Sequence, residues 1–180
     1  MPRQHSDSQE FSRFVEADSV GTHRMERRIS ANPEERAALA KRFGLLGIER
    51  LEAVFSLKRA GGGVIHVAGE IAAEVTQACV VTLAPVPAKV AEAFSADFAD
   101  EDRRRTTELD VDFEADDPPE PIRNGHIDLG ELAAEQLALA LDPYPRAPGA
   151  AIPPELSPDP DAEDEPVRPI NPFSILKKPN

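Results

Sequence analysis

Between Arg50 and Phe98 the apolar residues return at every second position, and that rhythm commits the chain to a sheet of neighbouring strands. In Arg50–Lys58, Leu51, Ala53, Phe55 and Leu57 alternate with Glu52, Val54, Ser56 and Lys58, the period of a half-buried strand. Gly61-Gly62-Gly63 follows as a hairpin turn; without a succeeding Gly-Lys-Ser/Thr it is no phosphate loop. From Val64 to Ala78, Ile65, Val67, Ile71, Ala73 and Val75 face one way and Glu70, Glu74 and Thr76 the other, with Gly69 read as a bulge. Cys79-Val80-Val81-Thr82-Leu83 continues as an apolar run that Pro85 and Pro87 interrupt, and Val90–Phe98 pairs back through Phe94, Ala96 and Phe98. Met25 and Ile29 alternate faintly, as an edge strand would. Short strands joined in sequence predict an antiparallel meander of about four to six strands.

Two helices join it, which makes the class α+β. Asn32 to Gly44 carries a cap at Asn32, a first-turn Pro33, Glu35 at capping-box spacing, Lys41 and Arg42 in the last turn, and Gly44 at the stop. Leu39 and Phe43 give it an apolar stripe. Asp128-Leu129-Gly130-Glu131 repeats the capping-box spacing and opens a helix with Leu129, Leu132, Ala133, Gln136, Leu137, Ala140 and Leu141 on one side. Pro143 and Pro145 end it.

The chain has 180 residues and one core's worth of apolar content, so the expectation is a single domain over 13–147. A flexible stretch, 1–12, precedes it, and a disordered, Pro-rich acidic tail, 148–180, follows; eleven of the eighteen prolines lie from Asp142 onward. Net charge is −13, but residues 1–60 hold eleven Lys/Arg against nine Asp/Glu, whereas the loop 99–122 is strongly acidic apart from Arg103, Arg104 and Arg105. Acidity is therefore local, and a basic face remains open to the folded part, although strong general affinity for nucleic acid is not expected. Leu109, Val111 and Phe113 alternate within the acidic loop and suggest a short strand there. A lone cysteine, no signal-peptide pattern, and no apolar run near the roughly 18 residues of a membrane span lead to a protein of a reducing cytoplasm, with no membrane or DNA partner.

Catalytic chemistry finds no footing in these residues. Cys79 lacks a base and, with His5, His23, His66 and His126 scattered, lacks co-ligands at zinc spacing. It reads as a buried structural cysteine. His66 falls on the solvent side of a strand and His126 precedes a cap. Glu70 and Glu74 read as sheet solvation and cross-strand pairing. Asp110, Asp112, Asp116 and Asp117 do not follow a calcium loop. The basic clusters, Arg24/Arg27/Arg28 and 103–105, lack interleaved aromatics, so a solvated face outweighs an RNA site. Arg24, Arg27 and Arg28 are the residues that would touch RNA if one is bound. The ending Asn171-Pro172-Phe173-Ser174-Ile175-Leu176 is either a docking peptide or a solvated end. No catalytic group, cofactor or metal is expected.

Several of these stretches occur together in one known family. Gly69-Glu70-Ile71 leading into Val75-Thr76-Gln77-Ala78-Cys79-Val80-Val81-Thr82-Leu83, then Ile127-Asp128-Leu129-Gly130-Glu131-Leu132 with Glu135, then Pro143-Tyr144-Pro145-Arg146, and the ending with Pro172, Phe173, Ile175 and Leu176 resemble the YceD (DUF177) family. The Cys-Val-Val-Thr-Leu form is similar to its alphaproteobacterial branch. The resemblance implies a non-enzymatic factor needed for accumulation of large-subunit (23S) ribosomal RNA, with that RNA or a large-subunit protein as partner. A general protein-interaction module unrelated to ribosomes is the alternative. Many relatives carry Cys-x-x-Cys where this chain has Cys79 and Thr82, so the resemblance comes without the zinc that a second thiol would suit. It also favours docking over solvation for residues 172–176.

Overall fold

The computed structural model describes residues 10–100 and 118–151. Two strands and two helices frame one principal sheet. Strand β1 is Phe14–Glu16, β2 Met25–Ser30, helix α1 Pro33–Phe43, β3 Gly47–Arg59, β4 Ile65–Ala78, β5 Pro85–Ala99, β6 Glu120–Pro121, β7 His126–Asp128 and helix α2 Leu129–Ala140. The principal sheet has the order β2-β3-β4-β5-β6, and β1 pairs with β7 in a separate two-stranded ribbon. The α+β class and the antiparallel meander through β2, β3, β4 and β5 match the sequence expectation. The fifth position differs: β6 runs parallel to β5, pairing Phe98 with Glu120 and Ala99 with Pro121.

Alternation decides which face is covered. Leu51, Ala53, Phe55 and Leu57 of β3 and Ile65, Val67, Ile71, Ala73 and Val75 of β4 point inward and are buried. Both helices pack on that inner face, α1 against β3 and α2 against β4 and β5. Leu39 of α1 and Ala133, Ala134 and Leu137 of α2 meet it with no exposed surface. Burying each such leucine contributes roughly 1.5–3 kcal/mol. The outer face is polar: Glu74 meets Lys89 at 3.7 Å and His66 Nδ1 lies 2.7 Å from Asp97 Oδ1.

The α1 signals are realised in full. Asn32 Oδ1 accepts the N–H groups of Glu34 and Glu35 (both 2.9 Å), Glu35 Oε2 accepts the Asn32 N–H (2.8 Å), and Gly44 ends the helix at φ 66°. At α2 only half of the box forms. Asp128 caps, but Glu131 turns its carboxylate to Arg42 of α1 instead, at 2.6 and 2.9 Å. An ion pair across two helices has displaced a local hydrogen bond, and the carboxylate holds the guanidinium protonated above its usual range.

Three other expectations are corrected. Gly69 is not a bulge: its register with Phe55 and Phe94 is continuous, and the irregularity in this sheet lies between Ile48 and Arg50. The Phe94 ring lies over Gly69, edge-on to Phe55 at 5.8 Å; an added Cβ would come within 2.9 Å of the ring's Cε atoms and have to push the ring aside. Pro85 and Pro87 do not break the strand but begin it. Cys79 N–H donates to Ala84 O (2.8 Å), which sets the even residues of β5 against β4 and turns both proline nitrogens to the sheet's open edge. Finally, Phe11, assigned to the flexible 1–12 stretch, is 1 % exposed and belongs to the core. The candidate strand at 109–113, residues 103–105 and the tail motif Pro172, Phe173, Ile175 and Leu176 lie outside the described residues.

Candidate functional site

The motif residues gather at the two ends of α2. At its C-terminal end, β4 delivers Gln77 inward and stops, and Cys79 opens the turn to β5 rather than continuing a central strand. The thiol is 0 % exposed, and the reason is a set of amide donors. Cys79 Sγ accepts the N–H groups of Val81 and Thr82 (both 3.4 Å) and of Ala147 (3.3 Å). Around it, Val80 N–H donates to Pro145 O (2.9 Å) and Gln77 Nε2 to Asp142 O (2.8 Å). The segment after α2 is thus strapped to the β4–β5 turn, and the sulfur is the acceptor at its centre. Leu83 closes the turn with its N–H on Cys79 O (2.9 Å) and a left-handed φ of 60°, a conformation that costs a leucine roughly 1–2 kcal/mol.

These donors pull the Cys79 thiol down to about 6, Ala147 N–H first and the Thr82 hydroxyl next, while burial opposes them. The ordinary value is 9.0, so the folded state gains on the unfolded one as pH rises from about 6 to about 9, and the gain is lost as pH falls back through about 6. Cys79→Ser keeps an acceptor that does not ionise. Thermal melts across that window are expected to rise with pH for the natural protein relative to the serine variant; parallel profiles would show that the thiol stays protonated.

A zinc ion does not fit this place. Cys79 is the chain's single thiol, and among the described residues no three His, Cys, Asp or Glu side chains are grouped to hold a metal.

At the N-terminal end of α2, Asp128 Oδ1 accepts three N–H groups: Arg13 (2.7 Å), Gly130 (3.0 Å) and Glu131 (3.3 Å). Leu129 N–H in turn donates to Arg13 O (3.0 Å), so the chain's N-terminal strand lies directly across the helix start. Arg13 continues outward to Glu35 of α1 in a two-pronged contact at 2.8 and 3.0 Å, which holds that carboxyl below its ordinary range. Leu129 is in the core. Glu135, one turn and a half along, lines a groove of about 600 Å³ with Phe14, Phe98, Glu120 and His126; burial, then Glu120 and Glu131, push its carboxyl up.

The structure therefore brings Gln77, Cys79, Thr82 and Leu83, at the end of β4 and in the turn after it, together with Pro145 of the segment after α2, sets Asp128 and Leu129 at the other end of α2, and leaves Gly69 in mid-sheet. It parts the three arginines. Arg28 pairs with Val54 on the outer face and Arg27 with Phe55 on the inner, while Arg24 sits 3.8 Å from Glu26. Sequence reasoning missed Phe11, Arg13, Arg42 and the role of Gly130. The available signal was Gly130 itself, a glycine inside a first helical turn with no local reason to be one.

These features define a small α+β protein whose second helix is tied at one end by the N-terminal strand and at the other by a cysteine-centred turn. A family model, large ribosomal RNA subunit accumulation protein YceD, matches residues 67–178, which takes in both ends of that helix. The chain belongs to this family. No curated protein and no solved structure gives a match. Membership points to involvement in accumulation of the large ribosomal RNA subunit.

Proposed function

We propose that this protein is a non-enzymatic, cytoplasmic factor that supports 23S ribosomal RNA accumulation and large-subunit assembly by holding RNA on its surface. Family membership over residues 67–178 carries the reading. The charge distribution supports the RNA contact. On the outer face beside edge strand β2, Arg24, Lys58, His23 and His66 surround an open groove of about 550 Å³ with the hydroxyls of Thr22 and Ser56. Arg28 lies further along the same face of β2, with Glu26 between it and Arg24, and Arg27 adds a cation from the other face of the same edge. A chain with net charge −13 that offers a few basic side chains here, Arg24 and His66 of them beside the acids Glu26 and Asp97, would bind polyanions weakly and with marked salt sensitivity.

Binding of 23S fragments is expected to fall with salt, and the triple variant Arg24→Ala/Arg28→Ala/Lys58→Ala to reduce the log–log slope by about 2, at roughly 0.7 per phosphate contact. A large-subunit protein as sole ligand would replace RNA in this reading. In a strain lacking the protein, normal 50S particles and 23S levels on a gradient would overturn the ribosomal role and leave the general interaction module.

A further inference from the structure

Seven large apolar side chains are exposed among the described residues, and five of them, Leu46, Val80, Leu83, Leu139 and Tyr144, belong to the end of the fold around the Cys79 turn. Val80 and Leu139 both line a groove of about 500 Å³, with Phe43 and Leu45 from the end of α1 and Leu141 and Pro145 from the segment after α2. Leu139 is 79 % exposed and Val80 48 %. An apolar concentration of this kind on a polar domain marks a surface that is covered in use. The groove also has a negative end. Helix α2 stops without a basic residue in its last turn, its cap residue Leu141 is extended, and Asp142 follows. The partial negative charge of its last carbonyls is therefore uncompensated.

We infer that the occupant is the chain's own C-terminal segment, Phe173 to Lys178, docked in cis. Three observations select it. Its chemistry is complementary: Phe173, Ile175 and Leu176 suit the apolar walls, and Lys177 and Lys178 suit the negative helix end. Its reach is sufficient, because the described chain leaves the fold at this end, where Ala147 N–H meets Cys79. Residues 152–172, Pro-rich and acidic, allow a reach of up to roughly 65 Å at about 3.1 Å per residue, which covers the way back to the groove. Covalent attachment makes the contact intramolecular, so a weak one is enough. Thirdly, the family match runs through residue 178, so the segment belongs to the shared sequence, although an acidic, proline-rich stretch separates it from the fold. The inference stands apart from the ribosomal role and needs no RNA.

Full-length protein tests it. Replacing Phe173, Ile175 and Leu176 together by alanine is expected to shift the amide resonances of Ala78–Leu83 and Ala138–Tyr144 and to speed their hydrogen exchange several-fold, leaving the outer face of the sheet unchanged. Leu139→Asp, at an exposed position, is expected to reproduce those effects with the same circular dichroism as the natural protein. Carbodiimide coupling should join Lys177 or Lys178 to Asp142 within one chain, at a yield independent of dilution. Coupling confined to dimers, with yield falling on dilution, would assign the groove to a second copy and overturn docking in cis. Unchanged resonances with no coupling would overturn it as well.

Discussion

Gly130→Ala is expected to destabilise the protein by about 3 kcal/mol and to lower its melting temperature by on the order of 10 °C. Helix propensity alone argues the opposite, because alanine improves on glycine in a helix by about 1 kcal/mol. Packing decides the sign. A Cβ at 130 would come within 2.9 Å of the carbonyl carbon of Phe11 and 3.0 Å of the nitrogen of Arg13. Those are backbone atoms, fixed by the Arg13–Asp128 and Leu129–Arg13 hydrogen bonds, so no rotamer change relieves the contact. Either the N-terminal strand lifts and Phe11 leaves the core, or the helix start unwinds. A melting temperature equal to or above that of the natural protein would sink this account of how strand and helix meet.

The second large effect falls on Asp128. Asp128→Ala removes the acceptor of three N–H groups at once, one from Arg13 just before β1 and two from the helix, and is expected to cost about 2–4 kcal/mol by chemical denaturation. Asp128→Asn keeps an amide oxygen in the same place and is expected to recover most of that. The other carboxylate oxygen, Oδ2, is buried with no hydrogen-bond partner, so replacing it forfeits no bond. If asparagine proves as damaging as alanine, acceptor geometry is not what Asp128 provides.

Both residues stood in the sequence as local signals, and both act through partners far away in it. That contrast explains what was legible. Inward and outward positions of β3 and β4 followed from alternation, because one face of the sheet is covered and the pleat leaves no other choice. The α1 cap was legible because every group in it lies within a few residues of Asn32. The same spacing at Asp128 misled by half, since Arg42 offered Glu131 a charged partner that spacing cannot display. Gly69 was taken as backbone irregularity when its cause is a ring on the neighbouring strand. Cys79 looked like the continuation of an apolar run, yet its sulfur sits in a turn whose third donor, Ala147, is 68 positions away. Of the candidate site, the sequence singled out Gln77, Cys79, Thr82, Leu83 and Pro145 one by one and could not show that the fold brings them together.

The Arg13–Asp128 bond joins residues 115 positions apart, and that separation has a consequence in time. Strands β3, β4 and β5 meet through short connections and can pair as soon as they leave the ribosome. Phe11 emerges earlier than any of them, but part of the lid over it, the first turn of α2, is made only when residue 130 appears. For most of synthesis, then, the earliest core aromatic waits for almost the last element. The N-terminal residues thus gain their last core neighbours only once α2 is made.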